Sequence, residues 1–170
     1  MGTPPDPLQQ LMQSKAAQLG NIRTDTLSGF DAHAAPADSH PFVINSSAAF
    51  VFPAPGAGSK TMLSYQVPIG VISVINMLSI VAIGGAFVDA SGQLIWRCWL
   101  NGSGIDGLES LGAQIGSLAT PVPIQVVLTE NDLFLVTVEI PAGQPAMPPG
   151  STTVARIWGW TYSLTKVHGL

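Results

Sequence analysis

From Phe42 onward, apolar and polar residues alternate in short runs broken by Gly and Pro, the pattern of strands and turns rather than helices. In "SGQLIWRCWLNGSG", Leu94, Trp96, Cys98 and Leu100 fall on one face of a strand; Ile95, Arg97 and Trp99 fall on the other. In "LFLVTVEI", Phe134, Val136, Val138 and Ile140 share a face, and Leu133, Leu135, Thr137 and Glu139 share the opposite one. This run and "VPIQVVLT" flank the turn formers "END", which predicts a hairpin. "STTVARIWGWTY" sets Val154, Arg156, Trp158, Trp160 and Tyr162 on one side. "AAFVF" ends at the turn cluster "PAPGAGS", and "KTMLSYQV" resumes in extended style. Seven to nine strands of this kind suit an all-β fold, a jelly-roll-like antiparallel β-sandwich.

One stretch departs from the alternation. "VPIGVISVINMLSIVAIGGAFV", residues 67–88, carries no charge and is long enough for a membrane-spanning helix. Pro68, Gly70, Asn76, Gly84 and Gly85 interrupt it, and Val67, Ile69, Val71, Ile72, Val74, Ile75, Ile80 and Val81 favour pleated structure. No Lys/Arg cluster flanks it. It therefore reads as two or three strands, roughly 67–75 and 78–88, buried on both faces. No membrane partner is expected.

The first 41 residues follow a different pattern. Asp6 can cap a helix with Pro7 in its first position, Leu8, Leu11, Met12 and Leu19 fall on one face, and Gly20 offers a stop. A helix this short needs a surface to lie on. Residues 21–41, ending in "HAAPADSHP", read as linker, so the chain divides into an arm, 1–41, and a β-domain, 42–170. "MGTPPDPLQQLMQSK" lacks the basic start and apolar run of a signal peptide, so the sequons "NSS" and "NGS" read as chance matches.

Composition sharpens this. Only 9% of the 170 residues are charged while 46% are hydrophobic. A surface so poor in charge is weakly protected against association, which favours a homo-oligomer over a free monomer. The net charge of −4 and the scattered Lys15, Arg23, Lys60, Arg97, Arg156 and Lys166 give no footprint for nucleic acid. Cys98 is the sole cysteine, which excludes an intrachain disulfide, and its place in an apolar alternation makes it a small core residue.

Candidate chemistry is sparse. His33, His40 and His168 lie in linker or tail; Asp31 and Asp38 near the first two read as solvated linker rather than a metal site. Asp89, Asp106 and Glu109 could gather round a cation, but "NGSGIDGLE" has too few acids at alternate positions for a calcium loop. No nucleophile–base pair, acid dyad or phosphate loop is legible, so no enzyme, cofactor or metal is expected. The tryptophans are more telling. Trp96 is in phase with core residues, whereas Trp99 shares a face with Arg97, and Trp158 and Trp160 share one with Arg156. These five, with Leu8, Leu11, Met12 and Leu19 of the arm, are the interface candidates.

The phrases "VPIGVISVINMLSIVA", "SGQLIWRCWLNG", "LTENDLFLVTVEIPAG" and "ARIWGWTY" are similar in style to small accessory capsid proteins of tailed bacteriophages, the decoration or cement proteins. The resemblance spans about residues 42–163 and carries over no individual functional residue. It implies a jelly-roll-like domain, commonly a homotrimer, docked on the major capsid protein at the surface of the virion. The alternative is a collar, fibre or receptor-binding virion protein that contacts glycan through residues 101–121 and 141–150. A carbohydrate-active enzyme is the third class, because sequence alone does not place the carboxylates in space.

Overall fold

A computed structural model of the chain describes residues 39–46, 50–83 and 93–163. The expected helix with Leu8, Leu11, Met12 and Leu19 lies outside these residues. Among the described residues there are eight strands: β1 Ser39–Asn45, β2 Lys60–Gln66, β3 Val71–Ile83, β4 Ile95–Leu100, β5 Ser103–Gly104, β6 Val122–Leu128, β7 Leu133–Glu139 and β8 Thr152–Ser163. They form two four-stranded sheets, ordered β1-β8-β3-β6 and β2-β7-β4-β5. Only β4 and β5 are chain neighbours within one sheet; every other connection crosses between sheets. That winding, with β2–β7, β3–β6, β3–β8, β4–β5 and β4–β7 antiparallel, is a jelly roll.

The faces follow the alternation. Trp96, Cys98, Phe134, Val136, Val138 and Ile140 are buried against Leu78, Ile80, Leu128, Ala155 and Ile157 of the other sheet. Two polar bridges cross this apolar slab. The Trp96 indole N–H donates to Thr153 Oγ1 at 3.2 Å, and Thr153 donates to the Val81 carbonyl at 2.9 Å. Nearer the other end, the Tyr65 hydroxyl lies 2.7 Å from Ser73 Oγ. Both place polar groups of the slab within hydrogen-bond reach of one another, as groups withdrawn from water require.

Two expectations are corrected. Residues 71–83 form one strand of 13 residues, not two. Asn76, which reads as a break, is the extra residue of a bulge: Ile75 pairs with Gly159 and Met77 with Trp158. The bulge resets the phase, so that Ile75 and Leu78 both face the core. The apolar run is thus the pleated centre of a sheet, strand as expected, and no helix among the described residues is long and apolar enough to cross a membrane. The expected 122–140 hairpin does not form either. β6 pairs with β3, and β7 with β2 and β4, so residues 129–132 turn from one sheet to the other. A strand apolar on one face looks the same whether its neighbour in sequence pairs beside it or packs across from it. The structure also differs at the edges: Phe50–Phe52 lie in a loop, while "SHPFVIN" forms β1.

The connections divide by length. At one end lie residues 50–59 and 140–151, while 105–121 run beside β4, bonded to Cys98 and Trp96, before reaching β6. At the other end are the tight turns 67–70, 101–102 and 129–132. The tight turns are tied to one another. Val67 N–H donates to the Asp132 carbonyl, Asn131 N–H to the Val67 carbonyl, and Gly70 N–H to Glu130 Oε2. Asp132 accepts from Asn101 Nδ2 at 2.7 Å and from the Thr129 amide at 2.6 Å.

One close approach fixes the β1–β8 edge. Ser46 N–H bonds to the Ala155 carbonyl and Thr161 to the His40 carbonyl, a register that sets Phe42 beside Gly159. The Phe42 ring fills the place of the missing side chain and stacks on Tyr65, centroids 5.0 Å apart. A Cβ on Gly159 would lie 2.1 Å from the Val74 carbonyl oxygen and 2.7 Å from the Phe42 ring. Gly159→Ala is therefore expected to cost about 3 kcal/mol or more, the upper end of overpacking penalties. In urea unfolding this appears as a lower midpoint with an unchanged slope; a midpoint equal to that of the parent chain would contradict the close packing.

Candidate functional site

The candidate side chains on the two sheets do not form one site. Arg97 and Trp99 project from β4 on the outer face of the β2-β7-β4-β5 sheet, while Arg156, Trp158 and Trp160 project from β8 on the outer face of the other sheet. A packed core roughly 10 Å thick separates them.

On the first face the strand register does the positioning. Arg97 is paired with Thr137 and Trp99 with Leu135. The Trp99 indole N–H donates to Thr137 Oγ1 at 2.9 Å, which holds the ring against the sheet. The Arg97 guanidinium meets the Glu139 carboxylate at 2.7 Å and 3.1 Å, a two-point contact with both side chains 23% exposed. The result is a fixed aromatic surface beside a partly desolvated ion pair.

On the second face Trp158 lies beside Met77, Trp160 beside Val74 and Tyr162 beside Ile72. The Arg156 guanidinium stands over the Trp158 ring, 5.5 Å from its centroid, and is also bonded to Asn45 Oδ1. Val74 and Ser79, on the outer side of a sheet, are only 2% and 0% exposed. Three polar atoms along this face, Asn76 Oδ1, Ser79 Oγ and the Tyr162 hydroxyl, are withdrawn from water without a hydrogen-bond partner. Each such group costs about 1–3 kcal/mol. Burial pushes the Tyr162 hydroxyl above the ordinary tyrosine range. An outer face open to water would solvate these groups; this one is built more like an interior.

A third feature was singled out from sequence only in part, through residues 141–150. The long loops enclose a groove of about 600 Å³ lined by Phe50, Val51, Phe52, Met147 and Pro148. Val51 is 68% exposed there, and Ser151 Oγ is buried without a partner. The signal was present in "AAFVFPAP" and "PAMPPG", but in sequence both read as strand end and turn.

The remaining candidates stay apart. Asp106 and Glu109 are exposed in the 105–121 loop, His40 is exposed on β1, and Asp89, His33 and His168 lie outside the described residues. Among the described residues no three His, Cys, Asp or Glu side chains come together as a cation site would need. Cys98 is in the core, and burial pushes its thiol up to about 12. It stays protonated at neutral pH and has no thiolate to offer as a nucleophile or ligand.

No family model matches the chain, and no curated protein does. Among solved structures the chain is similar to proteins of infectious bursal disease virus particles. The T=1 particles derived from infectious bursal virus match with a TM-score of 0.38 at 15% identity over 80% of this chain. The VP2 subviral particle of infectious bursal disease virus matches with a TM-score of 0.38 at 13% identity over 83%. A mutant VP2 of the same virus matches with a TM-score of 0.34 at 14% identity. This chain spans only 31–38% of the length of those proteins.

Two outcomes follow. Cys98 should leave a thiol reagent such as DTNB uncoloured in the native protein and react fully in denaturant; rapid native labelling would place it outside the core. Asp132 is held below the ordinary carboxylate range, first by the Asn101 amide and then by the Thr129 backbone N–H. A depressed carboxyl contributes stability above its unfolded pKa and loses that contribution as pH falls through the folded value. Asp132→Ala should therefore destabilise at neutral pH, on the order of 1 kcal/mol for bonds to a half-exposed group. The gap to the parent chain should close as acid protonates Asp132, which melting curves across pH would show.

Proposed function

We propose that this chain is a structural virion protein of the capsid decoration or cement type. Its β-domain self-associates, as a trimer on the reading carried from sequence, and sits on the major capsid protein. The arm, the residues before β1, anchors it to a neighbouring subunit. The observation that carries this reading is the pair of outer sheet faces. Each presents tryptophan beside arginine in a chain with 9% charged residues, and one of them holds unpaired polar atoms away from water. Aromatic and arginine side chains on rigid strands are the residue types that dominate protein interfaces. Two such faces on opposite sides allow one copy to touch two partners, as a shell component must. Jelly rolls also serve as lectins and enzymes, so the fold alone does not decide the matter.

A second reading is a glycan-binding collar or fibre protein. Trp99 favours it: the ring is fixed through its N–H, which frees its face to stack on a sugar beside the Arg97–Glu139 pair.

The two readings separate in one set of measurements. Sedimentation of the full chain should give a species well above the 17.7 kDa monomer. Trp158→Ala with Trp160→Ala should shift it toward monomer, since a buried interface tryptophan contributes about 2 kcal/mol or more. Cryo-EM of intact particles should then place the protein on the head. A monomer at working concentrations, or glycan-array binding abolished by Trp99→Ala, would replace the first reading with the second.

A further inference from the structure

We infer that Asn101–Gly102 is a latent deamidation site, held shut by Asp132, whose opening would loosen the tight-turn end of the sandwich. The dipeptide is the two-residue turn between β4 and β5, with Leu100 paired to Ser103. Its φ values, 51° at Asn101 and 83° at Gly102, are those of a type I′ turn, which asparagine followed by glycine adopts most readily. The same pair has the chemistry of imide formation. The Gly102 backbone nitrogen attacks Asn101 Cγ, forming the C–N bond of a five-membered ring. The side-chain amide leaves as ammonia, carrying off the proton lost by that nitrogen. Water then adds to one ring carbonyl or the other and gives aspartate or isoaspartate, with no oxidant or other reactant. Both residues are exposed, and nothing lies within 4 Å of the position a Gly102 side chain would take. Water and the ring would therefore meet no obstacle.

What restrains the step is the hold on the Asn101 side chain. Its Nδ2 donates to Asp132 Oδ1 at 2.7 Å, its Oδ1 accepts the Leu133 N–H at 2.9 Å, and its own backbone N–H donates to the Leu133 carbonyl at 3.0 Å. Swinging Cγ onto the Gly102 nitrogen breaks both side-chain bonds, one of them to a charged acceptor. Asp132 is in turn fixed by the Thr129 backbone and hydroxyl.

Conversion would turn the lock into a wedge. An aspartate at 101 presents a carboxylate where the amide donor stood, within hydrogen-bond distance of the Asp132 carboxylate. The chief cause of the low Asp132 pKa is lost, and the two like charges oppose one another. Isoaspartate adds a backbone methylene to a two-residue turn and spoils the β4–β5 register. Because the Asp132 carbonyl also receives the Val67 N–H, the disturbance reaches all three tight turns.

The test uses the full chain aged at mildly alkaline pH, with peptide mapping of the segment holding Asn101 and isoaspartate detection. The folded parent should convert at least roughly tenfold more slowly than the same chain in urea, and Asp132→Ala, shown to be folded by its near-UV dichroism, should remove most of that protection. Equal rates folded and unfolded, or a folded Asp132→Ala that ages no faster, would overturn the inference. Asn101→Asp, which builds the product directly, supplies an independent arm. One of its facing carboxyls must titrate above its unfolded value, so the variant should lose most stability at neutral pH and regain it as pH falls. A variant as stable as the parent at neutral pH would show that no wedge forms.

Discussion

The hydrogen-bond relay from Trp96 through Thr153 to the Val81 carbonyl is the contact on which the sandwich depends. A jelly roll winds its strands back and forth between sheets, so few local contacts specify how one sheet sits on the other. Apolar side chains fill the space but tolerate sliding, because hydrophobic attraction has no direction. A tryptophan whose only polar atom must find a partner in the facing sheet has one acceptable position. Thr153 supplies it while donating to the backbone of β3, so β4, β8 and β3 are aligned by two bonds. The Tyr65–Ser73 pair does the same nearer the tight turns. With both in place, the small–large match of Gly159 against Phe42, whose ring stacks on Tyr65, closes the β1–β8 edge.

Much of this was legible in sequence because a strand with one buried face repeats every two residues. The inward set of Trp96 and Cys98, that of Phe134 to Ile140, and the outward row of Arg156, Trp158 and Trp160 follow from that period alone. What stayed hidden is non-local. Period two does not say which strand lies alongside, so residues 122–140 read as a hairpin although their two strands belong to different sheets. Asn76 looks like a break because a bulge and a turn both begin with a polar residue in an apolar run. β1 was obscured by His40 and Pro41, residues that an edge strand tolerates and a central one does not. The separation of Trp99 from Trp158 required the sheet order, which local pattern does not contain.

The outer face of the β1-β8-β3-β6 sheet shows how composition becomes architecture. An antiparallel sheet usually sets one face to the core and turns the other to water. Here β3 carries Val74, Met77 and Val81 outward and β8 carries two tryptophans and a tyrosine, leaving Arg156 as the main charge in that row. Arg156 is itself laid over an aromatic ring and bonded to Asn45. The low charge content of the chain is thus concentrated in its effect: it removes from a central strand pair the polar outer residues that would mark the face as finished.

The unequal ends of the sandwich give the molecule a division of labour in evolutionary time. At one end, three short turns share hydrogen bonds through Asp132, Asn101 and Glu130, so a change in any one of them is felt by the others. At the opposite end, the proline- and glycine-rich connections 50–59 and 140–151 are joined by the bond from the Gly56 N–H to the Ile140 carbonyl and share the groove lined by Phe50, Val51 and Met147. A lineage built on this scaffold can vary one pole while the other keeps the strands in order.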